Sequence, residues 1–171
     1  MENLQYPIGR FDNTKEVSPS ELKKAIAYLA DFPKILNKLT SNLSDQVLDK
    51  TYRPDGWSIR QLVHHIADSH GNMFIRFKCA LTEENPTIKG YSEGAWANLP
   101  DSKLPISVSL PIIEGLHIRL NSLLDSMSEA DFEKTFYHPG YQRTYVLKGV
   151  VALYAWHSEH HLEHIKIAIN N

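Results

Sequence analysis

Histidine is the residue type whose placement in this chain could carry chemistry. Nine histidines occur in 171 residues, and seven of them fall in two short windows: His64, His65 and His70, then His157, His160, His161 and His164. An imidazole offers a nitrogen lone pair to a metal ion or moves a proton near neutral pH, so clustered imidazoles point to a metal centre or to acid-base work. In the second window Glu159, Glu163 and Lys166 mark a polar stripe on a helical wheel, and residues two positions away lie about 200° round, on the opposite side. His157 and His161 occupy that opposite side with Val150, Tyr154, Ile165 and Ala168, and at i and i+4 their rings reach a common point. Two such rings are either the first ligands of an ion or core histidines satisfied by carboxylates and carbonyls.

The first window is less decisive. His70 lies near the centre of an apolar face, whereas His64 and His65 sit roughly 140° and 120° away from it, so periodicity does not choose a third ligand. It does show a flank of Gln61, His65, Ser69, Asn72 and Arg76 that could wall a site between two helices or form a solvated face. His160, Glu163 and His164 also spell H-x-x-E-H, a zinc-peptidase string that needs a further acidic ligand downstream. Ile165 to Asn171 contain no carboxylate, so the string is read as coincidental and His160 and His164 as flanking residues.

Four amphipathic segments must position these groups. Ser18-Pro19-Ser20-Glu21 is a capping box with proline in the first turn, and it opens a helix to about Leu39 in which Pro33 predicts a kink or a break. Ser58-Ile59-Arg60-Gln61 opens a second helix reaching about Thr82. The third runs from about Val108 to Met127 and the fourth from Leu147 to about Ile169. Glu83 to Pro105 is a long connection, either a lid or a crossover, and the aromatic Phe136 to Val146 is a small hairpin or an ordered loop. The expected architecture is all-α: a single four-helix-bundle domain spanning residues 1–171, with long crossover loops and no internal repeat.

Composition narrows the function classes. Hydrophobic residues make up 42% and charged residues 22%, as in a globular domain, and a net charge of −2 leaves no positive excess for nucleic acid. The lone Cys79 makes no internal disulfide, Met1 to Arg10 lacks signal-peptide character, and apolar runs are far shorter than the roughly 20 residues of a membrane span. A cytoplasmic protein that neither enters a membrane nor binds nucleic acid is expected.

Gly56-Trp57-Ser58-Ile59-Arg60-Gln61 running into Val63-His64-His65-Ile66-Ala67-Asp68-Ser69-His70, with Tyr154-Ala155-Trp156-His157-Ser158-Glu159-His160-His161, resembles the DinB-like four-helix superfamily and within it the YfiT-like metal-dependent hydrolases. Tyr6-Pro7-Ile8-Gly9, Arg76-Phe77-Lys78, Leu81-Thr82-Glu83-Glu84 and Phe136-Tyr137-His138-Pro139 extend the likeness over nearly the whole chain. The resemblance implies one divalent ion per chain, zinc or nickel, on three histidines. Carried over by position these are His65, His157 and His161; the wheel selects the last two independently, and the resemblance alone selects His65. Glu159 departs from relatives with a longer histidine run, on the outer stripe. A cytoplasmic homodimer acting on a small molecule is also implied.

Three neutral ligands would leave the ion its full charge and an open position, which suits catalysis. The first reading is a hydrolase in which the ion activates water, with no general base evident and Asp68, three residues after His65, as a carboxylate that could orient its ring. The second is transfer of a low-molecular-weight thiol to an electrophile, as in thiol transferases of the same superfamily, with Arg60, Arg76 or Lys78 receiving the thiol's carboxylates; Cys79, mid-helix and without a basic partner, is not the nucleophile. The third is a bundle that binds metal without catalysis.

Overall fold

The computed structural model describes residues 2–171, with side chains from Leu4 onward. Short α1 (Glu2–Gln5) precedes the first long helix, α2 (Pro19–Thr40), and α3 (Asp45–Leu48) leads into α4 (Ile59–Thr82). After α4 come α5 (Glu93–Trp96), two 3-10 turns (Pro100–Lys103 and Ile106–Val108), α6 (Ser109–Ser126) and α7 (Glu129–Phe132). A hairpin of β1 (Thr135–His138) and β2 (Arg143–Val146) then feeds α8 (Leu147–Asn170).

Both expected capping boxes form. Ser18 Oγ accepts from the Glu21 amide while the Glu21 carboxylate accepts from the Ser18 amide, and Ser58 and Gln61 repeat the exchange at the start of α4. The break expected at Pro33 does not occur, since α2 is continuous for 22 residues. Pro33 has no N–H for the carbonyl of Leu29, and His117 of α6 supplies the missing donor, its Nδ1 lying 2.7 Å from Leu29 O.

The principal packings are α2 on α6 and α8, and α4 on α6 and α8, which puts α2 diagonally across from α4. The core divides into two apolar halves. Leu29, Met73, Leu120 and Tyr154 belong to one; Phe32, Ile66, Ile113 and Leu162 belong to the other. Each long helix therefore changes from one half to the other within about two turns, and in α4, α6 and α8 a histidine lies at the junction: His70, His117, and the pair His157 and His161.

The connection from Glu83 to Val108 is a packed crossover. Ile88, Ala97, Ser102 and Ile106 are buried in it, Gln61 Nε2 donates to Ala97 O at 2.9 Å, and His64 Nε2 lies 2.9 Å from Leu104 O. The crossover covers His64 in this way, while His65 is buried against Trp57 and α8; the helical wheel alone leaves both at the margin. The hairpin resolves the Phe136–Val146 alternatives, with Thr135 opposite Val146 and His138 opposite Arg143. Among the described residues no helix is long and apolar enough to cross a membrane.

Candidate metal centre

His65 projects from α4 and His157 and His161 from α8, and their Nε2 atoms converge. His157 Nε2 is 3.3 Å from His65 Nε2 and 3.1 Å from His161 Nε2, and ligand atoms of all three lie within 4.8 Å of one another. His65 and His161 are 5% and 7% exposed. Burial pulls the His65 pKa down to about 4, and burial followed by the neighbouring imidazoles holds His157 and His161 well below the usual histidine range. Neutral rings are the consequence, and neutral rings present lone pairs. One proton could bridge one pair of these nitrogens, but only a cation satisfies three at once.

The spacing fits that cation. Zinc bound by imidazole at 2.0–2.1 Å in a tetrahedron sets its ligand nitrogens about 3.3–3.4 Å apart, close to the separations found here. Three neutral ligands with no carboxylate in the set would leave an ion's charge uncompensated and a coordination position open. The same three histidines line a cavity of about 380 Å³, together with Tyr6, Trp57 and Glu93 among others. Trp57 packs its ring 4.6 Å from that of His65, and it is presented there by the turn at Arg53–Gly56. Gly56 is required in this turn, because a Cβ would fall 2.9 Å from Arg53 Cγ and 3.1 Å from Arg53 O.

The other histidines have separate tasks. His64 is bonded at both nitrogens, to Ser109 Oγ at 2.7 Å and to Leu104 O. His164 stands behind His161 with the two Nδ1 atoms 3.4 Å apart, and its ring stacks on Tyr52 at 3.8 Å. His160, His161 and His164 also come close enough to form a second candidate group. His160 stacks on Trp156 at 4.6 Å, and Lys166 takes the Glu163 carboxylate, so the H-x-x-E-H string does not assemble as a peptidase site.

Asp68 does not stand against His65. It is half-buried, with a pKa raised by burial and then by Asp101, and His64 is the imidazole that acts on it. Arg60 is also committed elsewhere, buried with its Nε 2.8 Å from Asp49 and an NH2 2.8 Å from Asp45, so it is not free to receive a ligand carboxylate. Arg76 lines a neighbouring cavity of about 490 Å³ with His138 and Tyr141, and Glu93 borders both cavities. Sequence reasoning did not single out Glu93, Trp57 or His117. His117 had a readable signal, lying four residues after Ile113 and three before Leu120 on an apolar face, whereas Glu93 had none.

Sequence comparison matches the DinB superfamily over residues 28–165. The chain belongs to the DinB superfamily. Relatives from Bacillus pumilus (47% identical over 165 residues, covering 96% of this chain and 94% of that one) and Bacillus anthracis (48% identical, covering 96% and 95%) carry the name "Putative metal-dependent hydrolase". Among solved structures, YfiT from Bacillus subtilis superposes with a TM-score of 0.94 at 41% identity over 98% of this chain and 97% of that one, and is described as "a probable metal-dependent hydrolase with an unusual four-helix bundle topology". Metal dependence in the superfamily relatives and the histidine convergence in this chain agree.

Proposed function

We propose that this protein is a metal-dependent hydrolase whose single divalent ion, zinc or nickel, is held by the Nε2 atoms of His65, His157 and His161. The observation that carries the reading is the convergence of three neutral imidazoles, two buried and one half-buried, with His157 Nε2 at 3.3 and 3.1 Å from the other two beside a cavity and no carboxylate among them. When bound, the ion supplies Lewis acidity, lowering the pKa of water towards about 7 and polarising a carbonyl oxygen.

The chain's own groups complete the site. The three histidines line the cavity and would hold the ion at its wall, Trp57 packs against His65 on one flank, and Glu93 and Asp55 are the carboxylates among the other lining residues. Desolvation raises the Glu93 pKa, against the opposing effect of Arg76, so this carboxyl is suited to accept a proton from attacking water and return it to a leaving group.

Elemental analysis of protein purified without a histidine tag, followed by ester and amide hydrolysis assays with and without an added low-molecular-weight thiol, tests the proposal. About one ion per chain and turnover with water alone support it. Turnover only with thiol makes the protein a thiol transferase on the same ion, and absence of bound metal removes the reading altogether.

A further inference from the structure

His117 lies outside both sequence clusters, yet it is 1% exposed at the centre of the bundle. Its Nδ1 must donate to Leu29 O, because a carbonyl oxygen only accepts and Pro33 provides no amide proton in that turn. A buried neutral ring that donates at Nδ1 is bare at Nε2, and His70 Nδ1 lies 2.8 Å from that atom, so His70 donates to it. His70, fully buried, is then bare at its own Nε2, which lies 3.3 Å from His157 Nδ1. His157 donates in turn, and its remaining nitrogen, Nε2, is the one that meets His65 and His161. The direction of every bond follows from one carbonyl.

A shorter path repeats the logic behind the other ligand of α8. Gln5 O lies 3.3 Å from His164 Nε2, which donates to it, and His164 Nδ1 then accepts from His161 Nδ1 at 3.4 Å. Nε2 of His161 is left bare towards the same point. Among the described residues no such path stands behind His65.

We infer that His117 and His70, polarised from the carbonyl freed by Pro33, and His164, polarised from Gln5 O, are positioning residues that lock His157 and His161 as Nδ1–H tautomers with Nε2 lone pairs aimed at one ion. The inference rests on the metal reading of the three histidines and adds how the ligands are prepared before an ion arrives. It also accounts for the second histidine group: His161 Nδ1 carries a proton, so His161 serves one site and His164 is its support.

Long-range proton–nitrogen NMR on the metal-free protein reads the tautomers directly. Protons on Nδ1 of both His157 and His161 are expected, and a predominant Nε2–H form at either overturns the relay. Zinc affinity, measured by competition with a chromophoric chelator, supplies the second readout. His117→Leu is expected to weaken zinc binding about 10- to 100-fold, whereas His117→Gln, whose amide donates to Leu29 O and accepts from His70, stays within about threefold of wild type. Wild-type affinity in His117→Leu, or equal losses in both variants, overturns the relay and leaves packing as the role of His117. Should His117→Leu not fold, the wild-type tautomers still decide. A wild type that binds no zinc overturns the metal reading instead, a separate result from the tautomers of the metal-free chain.

Discussion

His64 and His65 are neighbours in sequence, are 6% and 5% exposed, and have opposite chemistry. His64 has both nitrogens placed against oxygen, one hydroxyl and one carbonyl, and its polar demand is met within the fold. His65 has its Nε2 placed against another histidine's Nε2. A buried nitrogen facing oxygen is finished structure, while a buried nitrogen facing nitrogen lone pairs marks a place where positive charge belongs. The difference arises from one step of helix rotation, about 100°, which turns His64 towards the crossover and α6 and His65 towards α8.

The largest consequence of that contrast is in metal binding. His65→Ala, His157→Ala or His161→Ala is expected to lose on the order of 1000-fold in zinc affinity by chelator competition, about 4 kcal/mol, whereas His64→Ala keeps the wild-type constant. Equal losses in His64→Ala and His65→Ala would erase the distinction. Removing the ion with a chelator should lower the melting temperature without abolishing the helical signal, because the two apolar halves of the core do not contain the ligands.

Acid comes next. The His65 pKa lies near 4 in the folded chain against about 6.5 unfolded, so between those values the unfolded chain binds the extra proton and stability falls as pH falls. Each pH unit in that window costs about 1.4 kcal/mol for this histidine alone, and above about pH 6.5 it has no effect. Urea unfolding of the metal-free protein from pH 7 to 4.5 should show the decline, and His65→Phe should flatten it by one proton's worth. His64→Ala should cost about 1–3 kcal/mol in the same unfolding experiment by stranding Ser109 Oγ and Leu104 O. Smallest of all, Asp68→Asn should leave zinc affinity unchanged and alter stability by less than about 0.5 kcal/mol, since its carboxyl does not bear on the ligands.

The long helices and their caps were legible because both signals are local. Ser18 with Glu21 and Ser58 with Gln61 fix where chains of i and i+4 apolar residues begin, and the observed helices start within one residue of expectation. His157 and His161 were legible for the same reason, as residues opposite a charged stripe. His65 was not, because α8, against which it is buried, is distant in sequence, so only the resemblance to the superfamily selected it. Pro33 shows the opposite failure: the rule that a proline disrupts a helix holds for the isolated segment, and a donor on α6 meets the vacancy in the folded chain. The four short helices and Glu93 carry too few residues for a period to register.

The hairpin beside α8 extends into the crossover. Ile88 N donates to Tyr137 O at 3.0 Å and Tyr137 N donates to Pro86 O at 2.9 Å, so the first residues of the crossover run as a third line of chain alongside β1. In terms of local unfolding this divides the crossover into two exchange regimes. The amides of Ile88 and Tyr137 open only with the hairpin and should protect strongly against deuterium. Those of the exposed stretch Ser92–Ala95, which carries Glu93, can open alone. Glu93, which lines the cavity, therefore belongs to the part of the crossover whose amides should exchange first, while Ile88 a few residues earlier is tied to the hairpin.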